Sequence, residues 1–330
     1  MAASCATQMN DPRVDALMRP YQGDAPGASV LVLRDGRPVH RAGYGMADLE
    51  ARTAVTPATN FRLASVSKQF TARAIEILAA RGALSFEDPI TRFLPSLPPY
   101  AQHITIRQVL THTSGLIDYE DLIPKETVEQ VSDLDVLHML ETTDHTEFAP
   151  GSTYRYSNSG YVLLGLVVAK ISGTSFASFL ERAIFEPLGM HDTVAYERGI
   201  SEVAHRAYGY TRGKDGAWER RDQSVTSATL GDGGIYSSID DLAKWDASLR
   251  PATEPTVATA DPAVRYGFGW RFSEHRGRRT QWHSGETTSF RNVIVRFPDQ
   301  RLTVIVLTNR DDPEPYKTAL AIADPYLPSP

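Results

Sequence analysis

A single cysteine, Cys5, stands in a chain of 330 residues, and that scarcity removes two classes of site at once. Intrachain disulfides need a pair of thiols and thiolate metal sites need several. The run Ala2, Ala3, Ser4, Cys5 is similar to the tail of a lipoprotein processing site. That reading puts the protein in the cell envelope or periplasm on a lipid anchor. Its alternative is a plain terminus with an incidental cysteine, in a cytoplasmic protein. Long apolar runs are missing as well. The longest, Tyr161 to Ala169, is interrupted by Gly165 and falls far short of a bilayer span, so it predicts a buried helix and no membrane span. The formal charge of −6, with no basic run, argues against nucleic acid or an anionic membrane as the main partner. There is no G-x-S-x-G elbow and no H-E-x-x-H helix, and the nine histidines are scattered. Those absences set aside the α/β-hydrolase and zinc-hydrolase readings. Repeats and low-complexity tracts are also lacking.

What is present suffices for a large core, with 42% of residues hydrophobic. Residues 9 to 20 read as an amphipathic helix with Pro12 in its first turn. Ala28 to Leu33 and Pro38 to Tyr44 flank Asp35-Gly36, a strong hairpin signal. The stretch from Thr53 to Asn60 reads as a loop and that from Ser67 to Ala80 as a helix. Shorter helical patterns follow at Ile104–Leu110, Leu134–Thr142, Ser159–Ser172 and Ser175–Ile184. Ser237–Leu249 is another, with Ser238 and Asp241 placed as a capping pair. Strand patterns return at Tyr266–Phe272, Thr280–His283, Phe290–Phe297 and Leu302–Thr308, with a turn at Pro298 to Gln300 and a last helix from Glu314 to Ala323. Arg250–Ala263, rich in Pro, Ala and Thr, is the candidate mobile loop. The expected fold is α+β: an antiparallel sheet flanked by N- and C-terminal helices, with a mostly helical lobe inserted. Residues 9–60 with 226–330 form the sheet lobe and 61–225 the helical lobe.

The chemistry concentrates around Ser65 and Lys68. Three residues apart at a helix start, their hydroxyl and amine share a face. A serine becomes a useful nucleophile only when a neighbour takes its proton, and a lysine can do so. By itself S-x-x-K is weak, since roughly one chance match is expected in a chain this long. Two further motifs raise it above chance. Tyr156 and Asn158 form Y-x-N on a loop before a helix, and His283, Ser284 and Gly285 form H-x-G at the end of a strand.

This ordered set resembles the penicillin-recognising serine hydrolases, a group that includes class C β-lactamases, DD-peptidases, D-aminopeptidases and related esterases. The segments Leu110–Leu116, Gly231–Tyr236 and Tyr266–Trp270 extend the resemblance over nearly the whole chain. It implies a β-lactamase/DD-peptidase-like fold and a cofactor-independent, metal-free site for a small-molecule or peptide substrate. Ser65 is then the acylated nucleophile, Lys68 its proton acceptor or the partner that tunes it, and Tyr156 the relay to leaving group and water; His283 is a fourth catalytic candidate, for direct proton transfer or substrate contact, with a structural strand-end histidine as its alternative. The backbone N–H groups of Ser65 and Glu286 would form the oxyanion hole, with Gly285 keeping the strand edge open to substrate. Asn158, Ser284 and Arg291 complete the implied binding residues.

The chain departs from the family pattern at three positions. His283 stands where β-lactamases of the group usually carry lysine, Glu286 adds negative charge, and Ser289 replaces a common glycine. A neutral imidazole attracts a carboxylate less than lysine does. The expectation is therefore a hydrolase of esters or amides, including peptides with D-residues, that does not favour a carboxylate near the leaving group unless Arg291 supplies the cation. A true β-lactamase or DD-carboxypeptidase is the first alternative, and a penicillin-binding sensor without turnover is the second. His112 is expected in a structural turn, and Gly231–Gly234 in a tight turn. Tyr119, Tyr236, Trp270 and Trp282 are candidates for either an acyl pocket or the core. The oligomeric state is not legible.

Overall fold

The structure, a computed structural model, describes residues 10–250, 256–312 and 314–328. Strands β1 (Ala28–Arg34) and β2 (Arg37–Tyr44) form the expected hairpin. Asp35 and Gly36 turn it with φ of 53° and 73°, the backbone a two-residue hairpin needs. Six more strands join them: β3 (Val257–Ala258), β4 (Arg265–Gly267), β5 (Trp270–His275), β6 (Arg278–Thr287), β7 (Phe290–Phe297) and β8 (Leu302–Thr308). Their order is β3-β4-β5-β6-β7-β8-β1-β2, antiparallel throughout.

The sheet is buried on both faces, which is why β1 and β8 read as unbroken apolar runs rather than alternating ones. Val30, Val32, Val293, Val295, Val304 and Val306 face helices α1 (Pro12–Leu17) and α5 (Pro315–Ala323). Leu31, Leu33, Ile294, Ile305 and Leu307 face the larger core. That core also holds helices α2 (Lys68–Ala80), α3 (Asn158–Ser172) and α4 (Ile239–Ser248). The antiparallel α+β arrangement is thus the expected one. No single helix among the described residues is long and apolar enough to cross a membrane.

Several boundaries move for physical reasons. The expected strand Tyr266–Phe272 is two strands, broken where Phe268 and Gly269 take φ of 53° and 80°. That turn seats on the backbone of Lys68 and Gln69, so closely that a Cβ on Gly269 would lie 2.8 Å from Lys68 O. Strand β6 is longer than the four residues expected, because pairing with β7 carries it on to Thr287. The first helix stops at Leu17, and Pro20 continues as a 3₁₀ turn, Arg19–Tyr21. The Ser175–Ile184 segment is helical only over Phe176–Leu180 before it widens into a π turn. Ser238 caps α4 by accepting from Asp241 N, but the Asp241 carboxylate turns away to Asp192 N and Thr193 Oγ1, so no reciprocal box forms. The proposed mobile loop contains β3, and its residues 251–255 lie outside the described residues, as does Cys5.

Candidate active site

Ser65 and Lys68 meet because the chain begins this helix as a 3₁₀ turn, Ala64–Ser67, before α2 takes over at Lys68. In a 3₁₀ turn residues i and i+3 eclipse. Lys68 Nζ therefore lies 3.1 Å from Ser65 Oγ. Ala64 enters the turn with φ of 50°, a conformation that costs an L-residue roughly 1–2 kcal/mol.

The rest of the Lys68 environment defines its chemistry. The side chain is 0% exposed, and Nζ donates to Asn158 Oδ1 at 2.8 Å and to the backbone oxygen of Asp232 at 2.9 Å. Both of those partners can only accept. Two N–H bonds are thereby committed, and the third position faces Ser65 Oγ. As an ammonium, Lys68 donates there; as a free amine, it offers its lone pair to the serine proton. Moving one proton between Ser65 and Lys68 reverses a single hydrogen bond and leaves the other two intact.

The carbonyl of Asp232 reaches Lys68 through the Gly231–Gly234 turn. A Cβ on Gly231 would sit 2.2 Å from Tyr161 O, so only glycine lets this turn lie against α3. Thr71 Oγ1 donates to Gly231 O, and Asp133 Oδ1 accepts from Leu230 N at 2.9 Å, which fixes the turn from both sides. Part of Asp133 reaches solvent, but its carboxyl is enclosed, and burial pushes it up to about 8. An acid whose folded pKa exceeds its unfolded one is neutral in the fold at low pH. It destabilises the fold progressively as pH climbs from about 4 to about 8. Asp133→Asn keeps the acceptor without the charge and is expected to stabilise the protein by on the order of 2 kcal/mol at pH 8. Denaturant unfolding should show the gap widening between roughly pH 4 and pH 8 and levelling off above that; a constant gap would contradict the assignment.

Tyr156 approaches Lys68 from the loop ahead of α3. Its ring centroid is 4.9 Å from Nζ, and its hydroxyl is buried with no hydrogen-bond partner among the described residues. Two imidazoles flank it. The ring of His112 lies 4.2 Å away and that of His283 6.3 Å away. His112 Nδ1 accepts from Ser157 N, and its φ of 56° sits in the expected turn. His283, 1% exposed, donates from Nδ1 to Ser284 O, so its Nε2 accepts from the Tyr266 hydroxyl at 3.3 Å. Both imidazoles are held well below the usual histidine range, by burial first and then by Lys68 and Arg271. They are neutral walls, and both His283 nitrogens are engaged by protein.

Strand β6 runs past the nucleophile. A Cβ on Gly285 would fall 2.0 Å from Leu63 O and 3.1 Å from Ser65 N. The glycine is required for the strand to meet the nucleophile turn. Glu286 follows, cross-strand from Arg291. Arg291 does not reach toward Ser65. Its Nη1 donates to Thr287 O and Phe290 O, pinning the β6–β7 turn, while its Nε stays 3.7 Å from Glu286. Ser289 holds that turn at φ of 58°, its buried hydroxyl without a partner among the described residues, which explains why glycine suits the position. A depression of about 880 Å³ borders this turn and includes Glu286 and Ser289 but not Ser65.

Three contributors escaped sequence reasoning. Asp118 accepts from Asn158 N at 2.7 Å at the start of α3, and Glu120 accepts from Asn158 Nδ2 at 3.0 Å. Arg271 stacks over the rings of Tyr156, Tyr266 and Trp282 and has no carboxylate partner among the described residues. The aromatic candidates divide. Tyr119 and Tyr236 are fully buried, Trp282 stacks on Tyr316, and Trp270 lines a separate cavity of about 650 Å³ beside α2.

The chain is similar to known proteins over most of its length. A family model described as Beta-lactamase matches residues 11–325. A penicillin-binding protein of Bacillus subtilis is 32% identical over 329 residues, covering 91% of this chain and 71% of the relative. A D-aminopeptidase of Gluconobacter oxydans is 30% identical over 322 residues, covering 90% of this chain and 58% of the relative, so the chain spans little more than half of that protein. Among solved structures, a penicillin-binding protein from Bacillus halodurans superposes with a TM-score of 0.81 at 27% identity, covering 95% and 99% of the two chains.

Proposed function

The chain belongs to the β-lactamase family, a family of serine hydrolases of ester and amide bonds, and from that premise we propose that Ser65 is its acylated nucleophile. The observation that carries this reading is the position of Lys68 Nζ, 3.1 Å from Ser65 Oγ with its other two bonds committed to pure acceptors. As Ser65 attacks the scissile carbonyl, its proton passes to Lys68. The negative oxygen that forms is met by the backbone N–H groups of Ser65 and Glu286, a role supported by the seating of Gly285 against Ser65 N. The Tyr156 hydroxyl, without a hydrogen-bond partner among the described residues, hands a proton to the leaving group and later helps water release the acyl group. His283 acts as a positioning residue. It stays neutral and holds Tyr266 and the strand end in place.

Intact-mass measurement during hydrolysis of 4-nitrophenyl acetate tests the reading. One acetyl adduct is expected on the native chain and none on Ser65→Ala. Turnover that does not depend on Ser65 would overturn it.

A second reading, carboxypeptidase or β-lactamase action, draws on Arg271. That guanidinium, stacked on Tyr156 without a carboxylate partner among the described residues, offers the leaving-group side the cation that His283 lacks and Arg291 does not supply. A strong preference for free-acid peptides over their amides, lost in Arg271→Gln, would favour it.

A further inference from the structure

The loop that carries Tyr156 is held by the turn at residues 111–115. Arg155 N donates to His112 O at 2.9 Å, Gly151 N to Thr113 O at 2.7 Å and Glu147 N to Gly115 O at 2.8 Å. All three are backbone bonds, so they hold the loop without help from the imidazole of His112.

That imidazole makes the one further bond, between Tyr156 and Asn158. His112 Nδ1 accepts from Ser157 N at 3.2 Å. Ser157 is the extended residue that enters α3, and its own side chain makes no capping bond. Asn158 is secured separately, by Asp118 at its backbone N–H and by Glu120 and Lys68 at its amide. Loss of the Ser157 bond therefore frees Tyr156 and leaves the partner of Lys68 in place.

The same ring braces the phenol. His112 is 1% exposed, and its ring centroid lies 4.2 Å from that of Tyr156, tilted by 36°. Tyr161 and Tyr266 also pack on it, at 5.0 Å and 4.5 Å, and the Tyr161 hydroxyl is tied to Leu110 O. The bond to Ser157 requires a bare Nδ1, hence a neutral ring with its proton on Nε2. Burial first, and then Lys68, hold the group well below the usual histidine range, so the acceptor persists through neutral pH.

We propose that His112 is a positioning residue for Tyr156, setting the place of the phenol for the step in which water releases the acyl group. The proposal rests on the reading of Tyr156 as the proton relay. The imidazole takes up no proton in it and touches no reacting atom.

The test separates the two steps with 4-nitrophenyl acetate, whose leaving group needs little protonation. The early rate of product formation reports acylation of Ser65. Decay of the acetyl adduct by intact mass, once excess ester is removed, reports its release. His112→Phe keeps a ring but no acceptor. It is expected to slow release by about 10- to 100-fold, the cost of a small misplacement, and acylation by less than about threefold. His112→Asn carries an acceptor at the level of Nδ1 and tolerates the φ of 56°, and it is expected to recover most of the release rate. His112→Gln, whose amide reaches instead to the level of Nε2, is not. Added to Tyr156→Phe, His112→Phe is expected to change release by less than about twofold, because the group it would misplace is gone.

A merely structural role would slow both steps alike, or add its full loss to that of Tyr156→Phe, and either result overturns the proposal. Should thermal unfolding show that His112→Phe does not fold, the ratio of release to acylation in the asparagine and glutamine variants decides. An equal ratio in those two overturns it. Release that is unchanged in Tyr156→Phe rejects the relay and this proposal together. An adduct that persists in Tyr156→Phe but not in His112→Phe or His112→Gln rejects this proposal alone.

Discussion

Ser65→Ala is expected to lower kcat/KM toward a 4-nitrophenyl ester by about 10⁴-fold or more, Lys68→Met nearly as far, and the double variant no further than the worse single one. The two groups act as a unit, and removing either ends the proton transfer that makes the hydroxyl reactive. Lys68 needs a second readout because it is buried and bonded three ways. Methionine fills a similar volume without charge but leaves Asn158 Oδ1 and Asp232 O without a donor. Each such loss costs about 1–3 kcal/mol. Lys68→Met is thus expected to lose stability as well as activity, whereas Ser65→Ala should lose activity alone. Thermal unfolding of both variants, set against their residual rates, separates the two effects. Additive losses in the double variant would mean that the serine and lysine are not coupled.

What the sequence made legible follows from how local each interaction is. The Ser65–Lys68 contact lies within one turn and needs only periodicity. The β1–β2 hairpin needs only Asp35-Gly36 between apolar runs. The third bond of Lys68 goes to a backbone carbonyl, which has no side-chain signature, and it arrives from 164 residues away. The link from Asn158 to Glu120 spans 38 residues, and nothing in either segment announces it. The break at Phe268 and Gly269 was hidden for a related reason. Local pattern favours one continuous strand there, and packing against Lys68 and Gln69 overrides it. The seating of Gly285 against Leu63 O was not legible because sequence cannot say which surface a strand edge will meet. Arg291 illustrates the limit of proximity in sequence. It is close to the oxyanion strand in the chain, yet its side chain secures the β6–β7 turn.

Tyr156→Phe is the second large effect, and it is expected to change the kinetics rather than simply slow them. The phenylalanine ring preserves the stacking against Lys68 Nζ at 4.9 Å and His112 at 4.2 Å. The hydroxyl it removes is buried and has no protein partner among the described residues, so the fold loses no internal hydrogen bond. Stability is accordingly expected to hold or to rise by about 1 kcal/mol, since an unpaired buried polar group is removed. Turnover is expected to fall by about 10²- to 10³-fold, the usual contribution of a positioned acid or base. Deacylation should suffer most, because a departing nitrophenolate needs little protonation whereas the attacking water must lose a proton. A burst of product equal to the enzyme present, and a persistent acyl adduct on Ser65, are therefore expected with the activated ester. The neighbouring imidazoles offer no substitute relay: burial keeps both His112 and His283 neutral through the ordinary histidine range, and His283 already uses both nitrogens. Slow turnover without accumulated adduct would place the phenol in acylation instead, and a loss of less than about threefold would remove it from the proton path.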